Sequence, residues 1–154
     1  MNSAKINPEA QNPSLSSITS TESMELKAIC SLTAPLLKIG QISPASLAYI
    51  GDAVYELYVR TRYLLPPRRL CDYHNQVVAK VRAEQQAAYL QVLEPHLTES
   101  EREIVRQGRN AANGRPRRLS PELYQQASSL ETLIGYLYLQ NPQRLNELLE
   151  ILEF

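Results

Sequence analysis

Leu47-Ala48-Tyr49-Ile50-Gly51-Asp52-Ala53-Val54-Tyr55-Glu56 decides how this chain folds. The stretch is almost wholly apolar yet carries an aspartate at its middle, one of only two in the chain, with Asp72. Ser43-Pro44 opens it as a helix, serine capping and proline at the first helical position, where a missing N–H is harmless. Pro66-Pro67 closes it, so the spacing predicts a helix from Pro44 to Leu65. Leu47, Ile50, Val54, Leu57 and Tyr58 recur at helical spacing and are its expected core side. Asp52 falls where a core-facing helix would carry leucine, on the face of Ala48, Tyr55 and Glu56. A buried carboxylate needs a compensating arginine, hydrogen-bond network or metal ion. Gly51 costs about 1 kcal/mol of helix propensity relative to alanine, which a close approach by another helix would explain.

The rest of the chain reads as further helices. Residues 1–22, rich in Ser, Asn, Thr, Pro and Gln, cannot bury enough surface to order themselves and are expected to be a disordered leader. Absence of arginine there, with Glu9 and Glu22 present, argues against a transit peptide. Residues 23–154 then form the folded domain. Met24 to Ile39 is expected as a short amphipathic helix. A third helix is expected from Cys71 to Glu94, with Val77, Val78, Val81, Ala88 and Leu90 as its apolar face. Thr98-Glu99-Ser100-Glu101 is a capping-box pattern opening a fourth, which ends near Arg109. Ser120-Pro121 repeats the opening of Ser43-Pro44 and starts a helix to Gln140, apolar from Leu130 to Leu139 apart from Thr132, Gly135, the tyrosines and Glu131. A last helix runs from Pro142 to about Leu152. No segment alternates with period two for long, so the expectation is a single all-α domain of about six helices.

Composition excludes several functions. Lys plus Arg and Asp plus Glu both number 16, so the protein is no polycation and any nucleic-acid site comes from local clustering. Two cysteines, Cys30 and Cys71, make no disulfide framework, and with two histidines only Cys71 and His74 have ligand-like spacing. There is no apolar run long enough to span a membrane and no signal pattern, which points to the cytoplasm. No Gly-rich phosphate loop is present. Tyr49, Tyr55, Tyr58, Tyr136 and Tyr138 are read as core-edge packing.

Asp52 and Glu131 share an oddity: each is a lone acid in the most apolar part of its helix, with a glycine nearby, Gly51 and Gly135. The two most apolar helices of a bundle pack centrally, which brings the acids together. Two readings stand at this point. Each acid pairs with a core-edge arginine such as Arg60 or Arg82, or the two share a divalent cation, oxygen ligation suiting Mg²⁺ or Mn²⁺. Five arginines and no acid lie between Ile104 and Pro121. With interspersed Gly, Asn and Pro, the segment Arg106 to Arg118 is expected as a loop, either a solvated surface or a phosphate-binding one.

Three motifs in order carry a resemblance. Leu47 to Glu56, with Gly51-Asp52-Ala53-Val54 at its centre, looks like the signature helix of ribonuclease III domains. Ser128-Ser129-Leu130-Glu131-Thr132-Leu133-Ile134-Gly135 resembles the second signature helix, and Gly108-Arg109-Asn110-Ala111 is similar to the Mini-ribonuclease III group, which has the catalytic domain alone. The likeness covers about residues 42–152. It implies a homodimeric ribonuclease III-type fold and an Mg²⁺-dependent endonuclease, with Mn²⁺ as substitute, that cuts double-stranded RNA to leave 5′-phosphates. The implied role is maturation of the large-subunit (23S) ribosomal RNA precursor. Asp52 and Glu131 would be both metal ligands and catalytic residues. Arg106, Arg109, Asn110, Arg115, Arg117, Arg118 and His74 would hold the RNA, and a ribosomal protein that presents it is a further candidate partner. The chain departs from full-length ribonuclease III in having Ala48 and Ser128 where that protein has acids, which implies one metal or looser binding. Rival readings are a catalytically silent RNA-binding ribosome-assembly factor of the same fold and a helical protein-interaction module.

Overall fold

The computed structural model describes residues 38–114 and 118–154. The expected leader, and the Met24 helix but for its last two residues, lie outside them. After a 3₁₀ turn at Ile39–Gln41 come six helices: α1 Pro44–Arg62, α2 Leu70–Val81, α3 Ala83–Leu93, α4 Glu99–Ala111, α5 Pro121–Gln140 and α6 Pro142–Ile151. There is no strand among the described residues. Helix α5 is the axle, packed on by α1, α3, α4 and α6. It is buried along Ala127–Leu130, Thr132–Gly135 and Leu137.

The caps are those the sequence announces. Ser43 and Ser120 accept hydrogen bonds from the amides of Ser46 and Leu123, with proline following each. Thr98 and Glu101 form the reciprocal capping box of α4. Helix α1 ends at Arg62, three residues short of the expected Leu65. The residue before Pro66 is disfavoured in helical conformation, and the chain leaves the helix through Tyr63, whose amide bonds back to the Arg60 and Thr61 carbonyls.

The helix expected over Cys71–Glu94 is two. Arg82 is extended (φ −65°, ψ 152°), ending α2 and capping α3, and its carbonyl accepts from the amides of Gln85 and Gln86. Arginine is no helix breaker, so tertiary packing sets this break. It lets Val77 pack toward α1 while α3 turns Ala87, Leu90 and Leu93 into the core against α5. Ala88 and Val78, expected in the core, are exposed for the same reason.

The core side of α1 is the expected one only in part: Leu47 is buried and Val54 and Tyr58 pack against the core, but Ile50 and Leu57 do not. The buried positions are Leu47, Gly51, Tyr55 and Val59, while Tyr49, Ile50 and Leu57 face outward. The apolar residues of α1 wrap too far round for one seam, and Gly51 selects it. A Cβ built on Gly51 would lie 1.7 Å from the Glu131 carbonyl oxygen, and one on Gly135 would lie 2.0 Å from the Leu47 carbonyl oxygen. The backbones of α1 and α5 therefore touch at two glycines, the close approach inferred from Gly51. Tyr55, wholly buried one turn on, donates its hydroxyl to the Lys80 carbonyl at 2.9 Å.

One buried ion pair ties α4 to α6. Glu101 accepts from Arg144 Nε at 2.9 Å and from the Thr98 amide at 2.8 Å, and Arg144 also donates to the His96 carbonyl at 2.8 Å. These bonds, Arg144 first, hold the Glu101 carboxyl below the usual carboxylate range. Its folded pKa is depressed, so its contribution is present above the unfolded value and is lost as pH falls through the folded one. Arg144→Met is expected to cost about 2–3 kcal/mol at pH 7, because it strands a buried charge. Urea unfolding at pH 7 and pH 3 checks this, the gap between the two proteins narrowing in acid.

Candidate active site

The crossing of α1 and α5 builds a cleft. Asp52 follows Gly51, and Glu131 is the residue whose backbone Gly51 touches, so the glycine contact that locks the helices also brings the two acids to one place. Both line a cleft of about 290 Å³, with Ala48, Tyr49, Ser128 and Thr132 on its helical walls. Asn113 and Tyr124 line it as well, from either side of the loop between α4 and α5. Gly108 of α4 fits the same wall: a Cβ there would meet the Thr132 hydroxyl at 2.5 Å.

Asp52 does not occupy a core position as expected. It is exposed at the cleft, because the seam runs through Gly51 one residue earlier. Its carboxyl is nonetheless raised above its ordinary value, first by partial desolvation and then by Glu56. Glu131 is deeper. Burial, then the nearby Asp52 charge, push it up to about 7, against a lowering hydrogen bond from Gln86.

The arginine-paired alternative does not describe this arrangement. Arg60 pairs with Glu56 on the surface, and no ion pair among the described residues joins Asp52 or Glu131 to a cation. Two interacting carboxylates, both with raised pKa values and both facing a solvent-accessible cleft, are an oxygen donor set short of positive charge. That fits a hard divalent cation, which takes one or two carboxylates and completes its shell with water and phosphate oxygens. No group of three or more His, Cys, Asp or Glu side chains gathers among the described residues. Ala48 and Ser128 line the cleft without adding charge.

The basic segment divides. Arg106, Arg109 and Asn110 belong to α4, which runs to Ala111 instead of ending near Arg109. Arg106 is held in a two-bond pair by Glu103, at 2.8 and 2.6 Å, an acid just outside the acid-free interval. With Arg102 and Arg109 it lines a second groove, not the cleft of the acids. Arg109, Asn110, Arg118 and His74 are exposed, while Arg115 and Arg117 lie outside the described residues. Of the Gly108–Ala111 motif, Gly108 and Ala111 line the acid cleft, with Ala112 and Asn113 just after it, while Arg109 and Asn110 do not.

Of the five tyrosines expected at the core edge, Tyr55 is buried and Tyr58, Tyr136 and Tyr138 pack against the core. Tyr49 is 81 % exposed and stands at the cleft rim. Sequence reasoning missed Gln86, Asn113 and Tyr124. Gln86 alone left a signal, an amide on the apolar stripe of α3.

Comparison with known proteins agrees with this geometry. The ribonuclease III domain family matches residues 45–142. A Mini-ribonuclease 3 of Synechocystis is 61 % identical over 115 residues, which cover 75 % of this chain and 80 % of the relative. One of Thermosynechococcus vestitus is 54 % identical over 121 residues, covering 79 % and 80 %. The crystal structure of protein FN1578 from Fusobacterium nucleatum superposes with a TM-score of 0.69 at 29 % identity, covering 76 % of this chain and 97 % of that one.

Proposed function

Because this chain belongs to the ribonuclease III family, in its Mini-ribonuclease 3 group, and is an endoribonuclease, we propose that it cuts double-stranded RNA with a divalent cation held by Asp52 and Glu131. The observation that carries this is the pair of acids facing one cleft without a cationic partner. Mg²⁺, or Mn²⁺ in its place, would polarise a phosphoryl oxygen and supply hydroxide when bound there.

The chain's own residues set the rest. Asp52 and Glu131, on helices locked by glycine contacts, fix where the scissile phosphate sits. Hydrolysis breaks the P–O3′ bond and leaves a 5′-phosphate and a 3′-hydroxyl. Arg109, Asn110 and Arg118, with Arg115 and Arg117 next to them in sequence, hold the RNA backbone. Arg106 joins them by exchanging Glu103 for phosphate, and His74 adds a contact from α2. A-form RNA is recognised through backbone and 2′-hydroxyls, so selection follows helix shape more than base sequence.

The active form is a homodimer in this reading, each protomer cutting one strand. Its support is an outward apolar side of α1, with Tyr49, Ile50 and Leu57 exposed among the described residues. The natural substrate is the 23S ribosomal RNA precursor, with a ribosomal protein presenting it, in the cytoplasm. Similarity to the Mini-ribonuclease group supports this role. Among the described residues no helix is long and apolar enough to cross a membrane.

The test is incubation with a plain RNA duplex, with and without Mg²⁺. Metal-dependent double-strand cuts bearing 5′-phosphates are expected, and binding without cleavage would instead make the protein a silent RNA-binding factor. Arg115, Arg117 and Arg118 all changed to Ala are expected to weaken duplex binding and flatten its salt dependence, read from binding titrations at several salt concentrations. Unaltered affinity would remove the loop from the binding surface.

A further inference from the structure

The acid cleft extends well beyond the two acids. Tyr124, Ser128 and Glu131 stand at i, i+4 and i+7 on α5 and all line it, so one face of that helix walls the cleft for two turns, about 10 Å. Gly108 of α4 packs against Ser129 and Thr132, and the chain continues the opposite wall through Ala111, Ala112 and Asn113. Away from the acids the cleft therefore offers the Tyr124 phenol and the Asn113 carboxamide. Neither has a hydrogen-bond partner among the described residues. The hydroxyls of Tyr55, Tyr73 and Tyr89, by contrast, each donate to a backbone carbonyl. Tyr124 is only partly buried, so its phenol stays within reach of a molecule in the cleft.

The chemistry of this end selects what fits it. No lysine or arginine among the described residues lines the cleft, so it is not built for a second phosphate. The bases of a duplex stay paired and stacked. What remains of a nucleotide beside the scissile phosphate is its ribose, whose 2′-hydroxyl both donates and accepts, as a phenol and a carboxamide do. We propose that Tyr124 and Asn113 are specificity-determining residues that bond the 2′-hydroxyl of a nucleotide beside the cut, so that the cleft itself tells RNA from DNA. The inference rests on the reading that Asp52 and Glu131 mark the scissile phosphate.

The experiment uses the full chain with Mg²⁺ and an RNA duplex whose cut has been mapped. The duplex is remade with a single 2′-deoxy nucleotide at each position within two of the cut. Wild type is expected to lose about three- to tenfold in kcat/KM at one of these positions, the size of one neutral hydrogen bond. Tyr124→Phe and Asn113→Ala are expected to cut the all-ribose duplex less well by a similar factor, at unchanged melting temperature, and to lose the penalty for the deoxy sugar. Tyr136→Phe, on the same helix but packed against the core, should keep that penalty. Affinity for the same duplexes in a chelator reads the coupling without cleavage. A merely structural role would slow all duplexes alike and leave the penalty intact. The full penalty retained in either variant would remove that residue from the subsite. Retention in both, or no penalty in wild type, would overturn the proposal. A wild type that cuts no duplex would overturn the cleavage reading instead, and this inference with it, so the two failures are distinguishable.

Discussion

Gly51→Ala is expected to destabilise the protein by at least about 3 kcal/mol, enough to lower the melting temperature by roughly 10 °C. The added methyl would sit 1.7 Å from the Glu131 carbonyl oxygen and 2.8 Å from the Gly135 amide nitrogen. Both are backbone atoms of a buried helix, and no side-chain rotation relieves the overlap. Helix α1 has to move off α5, opening gaps around Tyr55, Leu130 and Ile134. Gly135→Ala meets the Leu47 carbonyl from the other side and is expected to cost as much. Gly40, with nothing within 4 Å of where a Cβ would stand, supplies the control: Gly40→Ala should change stability by less than about 0.5 kcal/mol. Thermal unfolding of the three variants checks this. A stable Gly51→Ala would mean that the helices do not cross in backbone contact, and the acids would lose the device that brings them together.

The second large effect concerns those acids. Asp52→Asn and Glu131→Gln are each expected to reduce duplex cleavage by about 10³-fold or more while duplex binding persists, because several kcal/mol of charge stabilisation at the phosphate are lost. Glu131→Gln has an opposite effect on stability. The fold raises the Glu131 pKa to about 7, so it favours the neutral acid. The associated stability is fully present below the unfolded value near 4.5 and is lost as pH rises through 7. The glutamine, which never ionises, is spared that loss. In the absence of metal the variant is expected to be more stable than wild type by about 2 kcal/mol at pH 8, the advantage fading toward pH 5. Urea unfolding in a chelator across that range reads it. An inactive yet stabilised variant marks a side chain kept for chemistry at the expense of the fold.

How far the sequence revealed this arrangement differs by element. Helices α1, α4, α5 and α6 start where Ser43-Pro44, Thr98, Ser120-Pro121 and Pro142 say, because capping and proline placement are local chemistry. The two lone acids and their glycines were legible as a pair, since both a carboxylate and a glycine in an apolar helix interior ask for a reason. The orientation of α1 was not. Its apolar residues spread over more than one face, and only the partner backbone decides that Gly51 and not Ile50 lies inside. The break at Arg82 was equally hidden, because neither proline nor glycine marks it. Arg106 looked free for phosphate until Glu103, one turn back, claimed it. Gln86 went unnoticed because an amide on the apolar stripe of α3 does not reveal from sequence what it packs against.

The most direct test of the shared-cation claim counts protons. Carboxylate ligands bind metal in their ionised form, so a cation entering the cleft displaces the proton that Glu131 holds near neutrality. Mn²⁺ calorimetry in buffers of different ionisation enthalpy gives that number. We predict about one proton released per cation at pH 6, almost none at pH 8.5, and no such binding by Asp52→Asn or Glu131→Gln. Mn²⁺ binding that releases no proton at either pH, or that survives unchanged in Glu131→Gln, would contradict it.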